Sequence, residues 1–250
     1  MIKFFRQIRY NNFMSENKTG KYVKYALGEI ILVVIGILIA LQVNNWNENR
    51  KERHVELKIL KSIESDITED IKNMTAMIAT EEIGCKRNKK LISILKDSTS
   101  EYEVSMDTLF GNINRYDVFY PQKIGFESLK SIGLEVVQSD SLKAAIVNLY
   151  DYHYGIIAET LDIKKQLYLN TNTIFIEHLR TVDLAEGFDG FHNKRPNNFE
   201  ALKTNDSFLN HLSHIYMERL TFLSYAQNIK KIMEEVQQKL LKEIKATSNG

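Results

Sequence analysis

Backbone breakers and sulfur are scarce in this chain. Its 250 residues include two prolines, eleven glycines and one cysteine. So few prolines and glycines favour long helices, because each of them costs helix stability. A lone Cys85 excludes an intrachain disulfide and any multi-cysteine metal site. It reads as a small, half-buried helix residue; pairing across a dimer is the sharper alternative. There is no Gly-rich phosphate loop, no H-E-x-x-H and no G-x-S-x-G, so no cofactor, metal or catalytic residue is assigned. An excess of one charge sign is also missing: 33 basic and 32 acidic residues leave a net +1. No basic patch recurs along the body, which excludes nucleic acid as a partner.

The chain does contain 44% hydrophobic and 26% charged residues, a composition that folds. It also has a basic head, in which Lys3, Arg6, Arg9, Lys18, Lys21 and Lys24 face the single acid Glu16. Such a head fits an anionic membrane surface. Ile2, Phe5 and Ile8 form an apolar row beside Lys3, Arg6 and Arg9. Residues 1–21 therefore read as a basic amphipathic segment on the inner leaflet, or as a topology tag without fixed structure.

Next comes GEIILVVIGILIALQVNNWNE, from Gly28 to Glu48. The 19 residues from Tyr25 to Val43 would rise about 28 Å as a helix, close to the thickness of a bilayer core. Twelve Ile, Leu and Val side chains between Leu27 and Val43 favour insertion by about 5 kcal/mol. An acidic residue costs roughly 2.5–3.5 kcal/mol at the bilayer centre, and Glu29 lies nearer one end. Insertion wins, and residues 22–46 are expected to be a transmembrane helix. Tyr22, Tyr25 and Trp46 sit where interfacial aromatics belong, beside Lys21 and Lys24. No A-x-A cleavage site follows the run, so it reads as an uncleaved signal anchor. The positive-inside rule places the N-terminus in the cytoplasm, although Arg50, Lys51 and Arg53 oppose that orientation.

Glu29, Val33, Gly36 and Ala40 share one helical face. Gly36 and Ala40 make a small-xxx-small pair, which lets two helices approach closely in lipid. The face fits contact with a second copy or another membrane protein, with Glu29 protonated or meeting a polar group there. Equally, Glu29 snorkels to the headgroups and Gly36 is incidental.

The run just quoted, preceded by SENKTGKYVKYAL, resembles an uncharacterised bacterial family of single-pass membrane-anchored proteins of unknown function. FESLKSIGLEVVQSDSLKAAI, from Phe126, resembles the same family. The resemblance implies a single-pass anchor and a helical body; with the orientation read from the basic head, the expected location is a bacterial inner membrane with the body periplasmic. It carries no known activity, substrate or site residue.

The body, residues 47–250, reads as all-α. Val55, Ile59, Ile63, Ile67, Ile71, Met74 and Ile78 recur at helical spacing, and Cys85, Ile92 and Leu95 extend the stripe. A first long helix is expected over about 47–97, with Glu52, Lys58, Lys61 and Glu69 solvated. Asp66 and Asp70, one turn apart, read as an exposed pair. Short cap helices are expected within 105–133, started by Ser105 and Pro121 and stopped by Gly133. Further long helices are expected at about 139–180, capped by Ser139 or Asp140, and 205–245, capped by Asn205 or Asp206. Residues 181–204 read as a loop. The three long helices would run out, back and out from the membrane, with residues 97–138 closing the far end and 181–204 on the membrane side.

Within YDVFYPQKIGF and its flank, Arg115, Tyr116, Phe119, Tyr120 and Phe126 either line a pocket, with Arg115 or Lys123 pointing in, or fill core. His211 and His214 lie at the edge and outer side of their helix, without a carboxylate pattern to make a metal site. His153 falls on an apolar face as a core histidine. Arg219 interrupts the third stripe as a paired or snorkelling charge. The reading is a membrane-anchored, non-catalytic interaction or scaffold protein whose partners are the lipid bilayer and a second copy or another membrane protein. The alternatives are a ligand-binding sensor using the aromatic segment or, less favoured, an enzyme.

Overall fold

No proline falls between Lys18 and Lys96, and a single helix, α1, runs through all 79 of these residues. The computed structural model describes residues 18–114, 117–182 and 193–249. After α1 come a 3-10 turn (Val104–Met106), α2 (Asp107–Gly111), α3 (Ile124–Ile132) and a second 3-10 turn (Leu134–Val136). Then follow α4 (Asp140–Val147), a π-helical turn (Asn148–His153) and α5 (Tyr154–His178). The chain continues with β1 (Leu179–Thr181), β2 (Lys194–Pro196), α6 (Phe199–Lys203) and α7 (Asp206–Asn249). The fold is all-α, with one small exception: β1 and β2 pair antiparallel, Arg180 opposite Arg195, inside the segment expected to be a loop.

The chain divides into two units, one up to Val55 and one from Glu56 onward. In the first, every large aliphatic side chain of α1 from Leu27 to Val43 is exposed.

In the second unit the path of the chain differs from the expected one. After Lys96 the chain turns back along α1. The amide of Asn88 donates to the Ile113 carbonyl (3.4 Å), the Gln122 N–H to Asp70 (2.9 Å), the Gly125 N–H to Asp66 (2.7 Å) and the Gln138 N–H to Glu56 (2.9 Å). Partners on α1 thus step from 88 to 56 as the chain advances from 113 to 138. The described residues of 97–138 are therefore a return leg, not a cap over the far end. The π turn and α5 then run parallel to α1: Tyr154 meets Asp70, and Lys164 meets Glu81. α7 runs antiparallel, with Arg219 at Glu81 and Gln237 at Glu64 and Thr68. Residues 179–182 and 193–203 consequently lie at the Lys96 end of α1, not at its Glu56 end: Leu179, Phe199 and Leu202 share a core with Leu91 and Leu95. Lys203 closes this end by donating to the carbonyls of Ser98 (3.3 Å) and Ser100.

Local signals explain most element ends. The Ser139 hydroxyl accepts from the Leu142 N–H (3.4 Å), and the Asn205 side chain from the Phe208 N–H (3.0 Å), so both caps stand where expected. Gly133 ends α3 at a φ of 117°, a value that favours glycine. Two starts differ. Ser105 lies inside a 3-10 turn and bonds the Glu103 carboxylate, and α3 begins at Ile124, three residues beyond Pro121.

The interior holds two hydrophobic clusters. One, toward Glu56, includes Leu60, Ile63, Phe126, Leu149, Tyr150, Phe222 and Leu240. The other, toward Lys96, includes Leu91, Phe110, Phe175, Phe208 and Leu212. On α1, α5 and α7 alike, the break between them is marked by a charged or polar residue.

Candidate functional site

The first candidate is the apolar part of α1. Its most apolar 18-residue window has a mean hydropathy of 2.6, and none of that window is buried, so by length and composition the helix can cross a membrane. Val33, Gly36 and Ala40 are exposed, as is Glu29. A Cβ added to Gly36 would meet no atom within 4 Å. At the far end of the run the Arg50 guanidinium stands 5.5 Å from the Trp46 ring centre, the pairing expected of an interfacial tryptophan beside a cation. Tyr22 is half-buried, Lys24 and Tyr25 are exposed, and Lys3, Arg6, Arg9 and the side chain of Lys21 lie outside the described residues.

The aromatic segment does not come together as a group. Phe119 and Phe126 are buried and belong to the core. Phe126 stacks on Tyr150, with ring centres 4.4 Å apart, and Phe119 meets Tyr154 edge-on at 6.0 Å. Tyr120 is 75% exposed, Lys123 is exposed, and Arg115 and Tyr116 lie outside the described residues. The histidines are dispersed as well. His211 donates to the Ser207 carbonyl (2.7 Å), His214 is exposed near Glu218, and half-buried His153 bonds Asn148 (3.1 Å). Burial holds His153 below its usual pKa. Among the described residues no group of three or more His, Cys, Asp or Glu is placed to hold a metal.

Two polar constellations in the bundle escaped the sequence reading. The first is the layer between the two hydrophobic clusters. Glu81 of α1 bridges Lys164 of α5 and Arg219 of α7 (3.0 Å), and all three are buried. Arg219 also donates to the Asn112 carbonyl (3.2 Å), and the Lys164 ammonium lies 4.0 Å from the Phe222 ring centre. Burial pulls Lys164 below its usual pKa, against the attraction of Glu81, and pushes the neighbouring Cys85 thiol up. Gly84 makes room: a Cβ there would stand 2.1 Å from the Arg219 Nη1. The only visible signal was Arg219 itself, a charge inside an apolar stripe.

The second constellation corrects the exposed-pair reading of Asp66 and Asp70. Both are buried, because the return leg covers them. Asp66 accepts from the Gly125 N–H at the start of α3, acting as a cap supplied from another helix. Asp70 accepts from the Gln122 N–H on one oxygen and from the Tyr154 hydroxyl (2.7 Å) on the other. Burial, the largest cause, raises the Asp70 pKa to about 6; Asp66 and Glu69 add to the rise, against the two hydrogen bonds. Burial, and after it Asp66 and Asp70, pushes the Tyr150 and Tyr154 phenols well above their usual range.

These features define an all-α protein whose N-terminal helix is apolar enough to span a membrane and whose bundle carries buried charge. The chain belongs to the family of unknown function DUF6090, whose model matches residues 29–180. That range holds nearly all of the apolar run, the return leg and both aspartates, but not α7. No curated protein and no solved structure matches the chain.

Proposed function

We propose that this chain is a single-pass, membrane-anchored interaction or scaffold protein of a bacterial inner membrane, without catalytic activity of its own. Its N-terminus is cytoplasmic and its bundle extracytoplasmic. The observation that carries this reading is the uncovered run from Leu27 to Val43. Leaving twelve large aliphatic side chains in water costs on the order of 20 kcal/mol relative to burying them, and a bilayer removes that cost. The basic head supports the orientation. Within the span, Glu29, Val33, Gly36 and Ala40 are the contact face for a second copy or another membrane protein, where Gly36 allows close approach.

The test is fractionation of the full chain, followed by its mass in mild detergent with co-purifying proteins identified. The protein is expected in the membrane pellet after alkaline carbonate, with a C-terminal reporter active only outside the cytoplasm. Recovery in the soluble fraction would overturn the anchor, and an active cytoplasmic reporter the orientation. Gly36→Leu is expected to lower the oligomeric state or release the partner; an unchanged assembly would sink the contact face.

A further inference from the structure

Asp66 and Asp70 are buried carboxylates that accept hydrogen bonds but have no counter-charge among the described residues. They stand one turn apart on α1 and are buried under the return leg. The charged groups acting on Asp70 are Asp66 and Glu69, both acidic, and Glu69 is an exposed residue already paired with Lys72 (3.1 Å). Among the described residues no lysine, arginine or histidine pairs with either aspartate. Of the cations on the covering segment, Lys123 and Lys130 are exposed and Arg115 lies outside the described residues. Buried carboxylates are normally paired or bound to a metal.

A third group points to the same place. Tyr150 is only 4% exposed, yet its hydroxyl has no hydrogen-bond partner among the described residues. Burial, and after it the negative charge of Asp66 and Asp70, pushes that phenol above its usual range. Its ring is fixed on both sides: it stacks on Phe126, next to the Gly125 that binds Asp66, and meets at 5.0 Å the Tyr154 that binds Asp70. Tyr150 is carried by the π-helical turn, a local widening of the helix that is frequent at functional sites.

We infer that Asp66, Asp70 and the Tyr150 hydroxyl form a weak binding site for a hard divalent cation of the calcium class, whose remaining ligands are water. The donors are all oxygen. Among the described residues Asp66 Oδ1 has no partner, and each Asp70 oxygen keeps a lone pair beyond its single hydrogen bond. Asp66 is 8% exposed, so water reaches the edge of the site. Calcium tolerates such an irregular, partly hydrated set, whereas magnesium demands near-octahedral geometry. With two carboxylates the affinity falls in the weak range, about 0.1–1 mM. A proton is the competing occupant. The site lies in the bundle and does not depend on the proposed anchoring.

The test uses the full chain in an uncharged detergent at pH 7.5, with terbium as the luminescent calcium probe. Terbium emission excited through tyrosine is expected to appear, to be displaced by CaCl2, and to withstand NaCl of equal ionic strength. Asp70→Asn should abolish the displaceable signal. Tyr150→Phe, which keeps both carboxylates and the ring packing, should weaken calcium displacement about tenfold. CaCl2 at 5 mM should raise the melting temperature of the unmodified protein by about 2–5 °C and leave Asp70→Asn unchanged. If Asp70→Asn fails to fold, Tyr150→Phe reads the same site. No calcium-displaceable signal, an equal signal in the variants, or a melting temperature that responds to acid but not to calcium would overturn the inference.

Discussion

Gly125→Ala tests whether the return leg is docked backbone to backbone. A Cβ at Gly125 would lie 2.5 Å from the Ile63 backbone nitrogen and 2.8 Å from both Ile63 Cγ1 and the Ser62 carbonyl carbon. Two of these are main-chain atoms inside α1 and cannot step aside, so α3 must lift. Lifting strains the core by about 1–3 kcal/mol. It also breaks the Gly125 N–H bond to Asp66, a bond to a charged acceptor worth about 1.5–3 kcal/mol. Alanine returns about 1 kcal/mol of helix propensity. The net loss is about 2–5 kcal/mol, or a fall of about 5–12 °C in melting temperature for a protein of this size. The assay is thermal unfolding of full-length protein in detergent, followed by circular dichroism. Gly155→Ala is the control. It sits in α5 with no atom within 4 Å of its added Cβ, so it should be neutral or raise the melting temperature by up to about 3 °C. If Gly125→Ala melts within about 1 °C of the unmodified protein, the close approach and the Asp66 cap are not what hold α3.

Three further outcomes follow from the same geometry. Glu81→Gln leaves Lys164 and Arg219 buried without their counter-charge and should cost about 3–5 kcal/mol, read by urea unfolding. Asp70 holds its proton more tightly folded, at about 6, than unfolded, at the ordinary aspartate value of 3.8. Its contribution is therefore fully present below that lower value and is lost as pH rises through about 6. The difference is at most about 3 kcal/mol, and about 1–2 after solvent screening. Subtracting the pH–stability curve of Asp70→Asn from that of the unmodified protein, both in calcium-free buffer, isolates it; a flat difference between pH 4 and 7 would refute the assignment. Asn205→Ala removes both the cap on the Phe208 N–H and the bond to His178 (3.1 Å), and should cost about 1–2 kcal/mol by the same unfolding assay.

Features set by local chemistry were legible in the sequence. The apolar run, the stripe from Ile59 to Met74, the caps at Ser139 and Asn205 and the stop at Gly133 each rest on residues near one another in the chain. Chain direction was not legible, because periodicity says which face is buried and not against what. Residues 97–138 looked like a cap because they are short pieces. They in fact run back along α1, where α1 offers carboxylates at Glu56, Asp66 and Asp70 to their free amides. Asp66 and Asp70 looked exposed because acids usually are, although they lie beside Ile63, Ile67 and Met74 on the buried side of α1. The partners of Arg219 are 138 and 107 residues away in sequence, beyond the reach of any local signal. The β1–β2 pair has only three residues per strand, too few for alternation to register.

The layer of Glu81, Lys164 and Arg219 also shapes how the bundle comes apart. It separates two greasy compartments, yet α1, α5 and α7 each run through both. Opening the Lys96 compartment alone does not require Arg219 or Lys164 to leave Glu81, so the ionic seam acts as a firebreak against unzipping from that end. Fraying that starts among the short elements there stops at the first site where two cations would have to part from one anion in a dry interior.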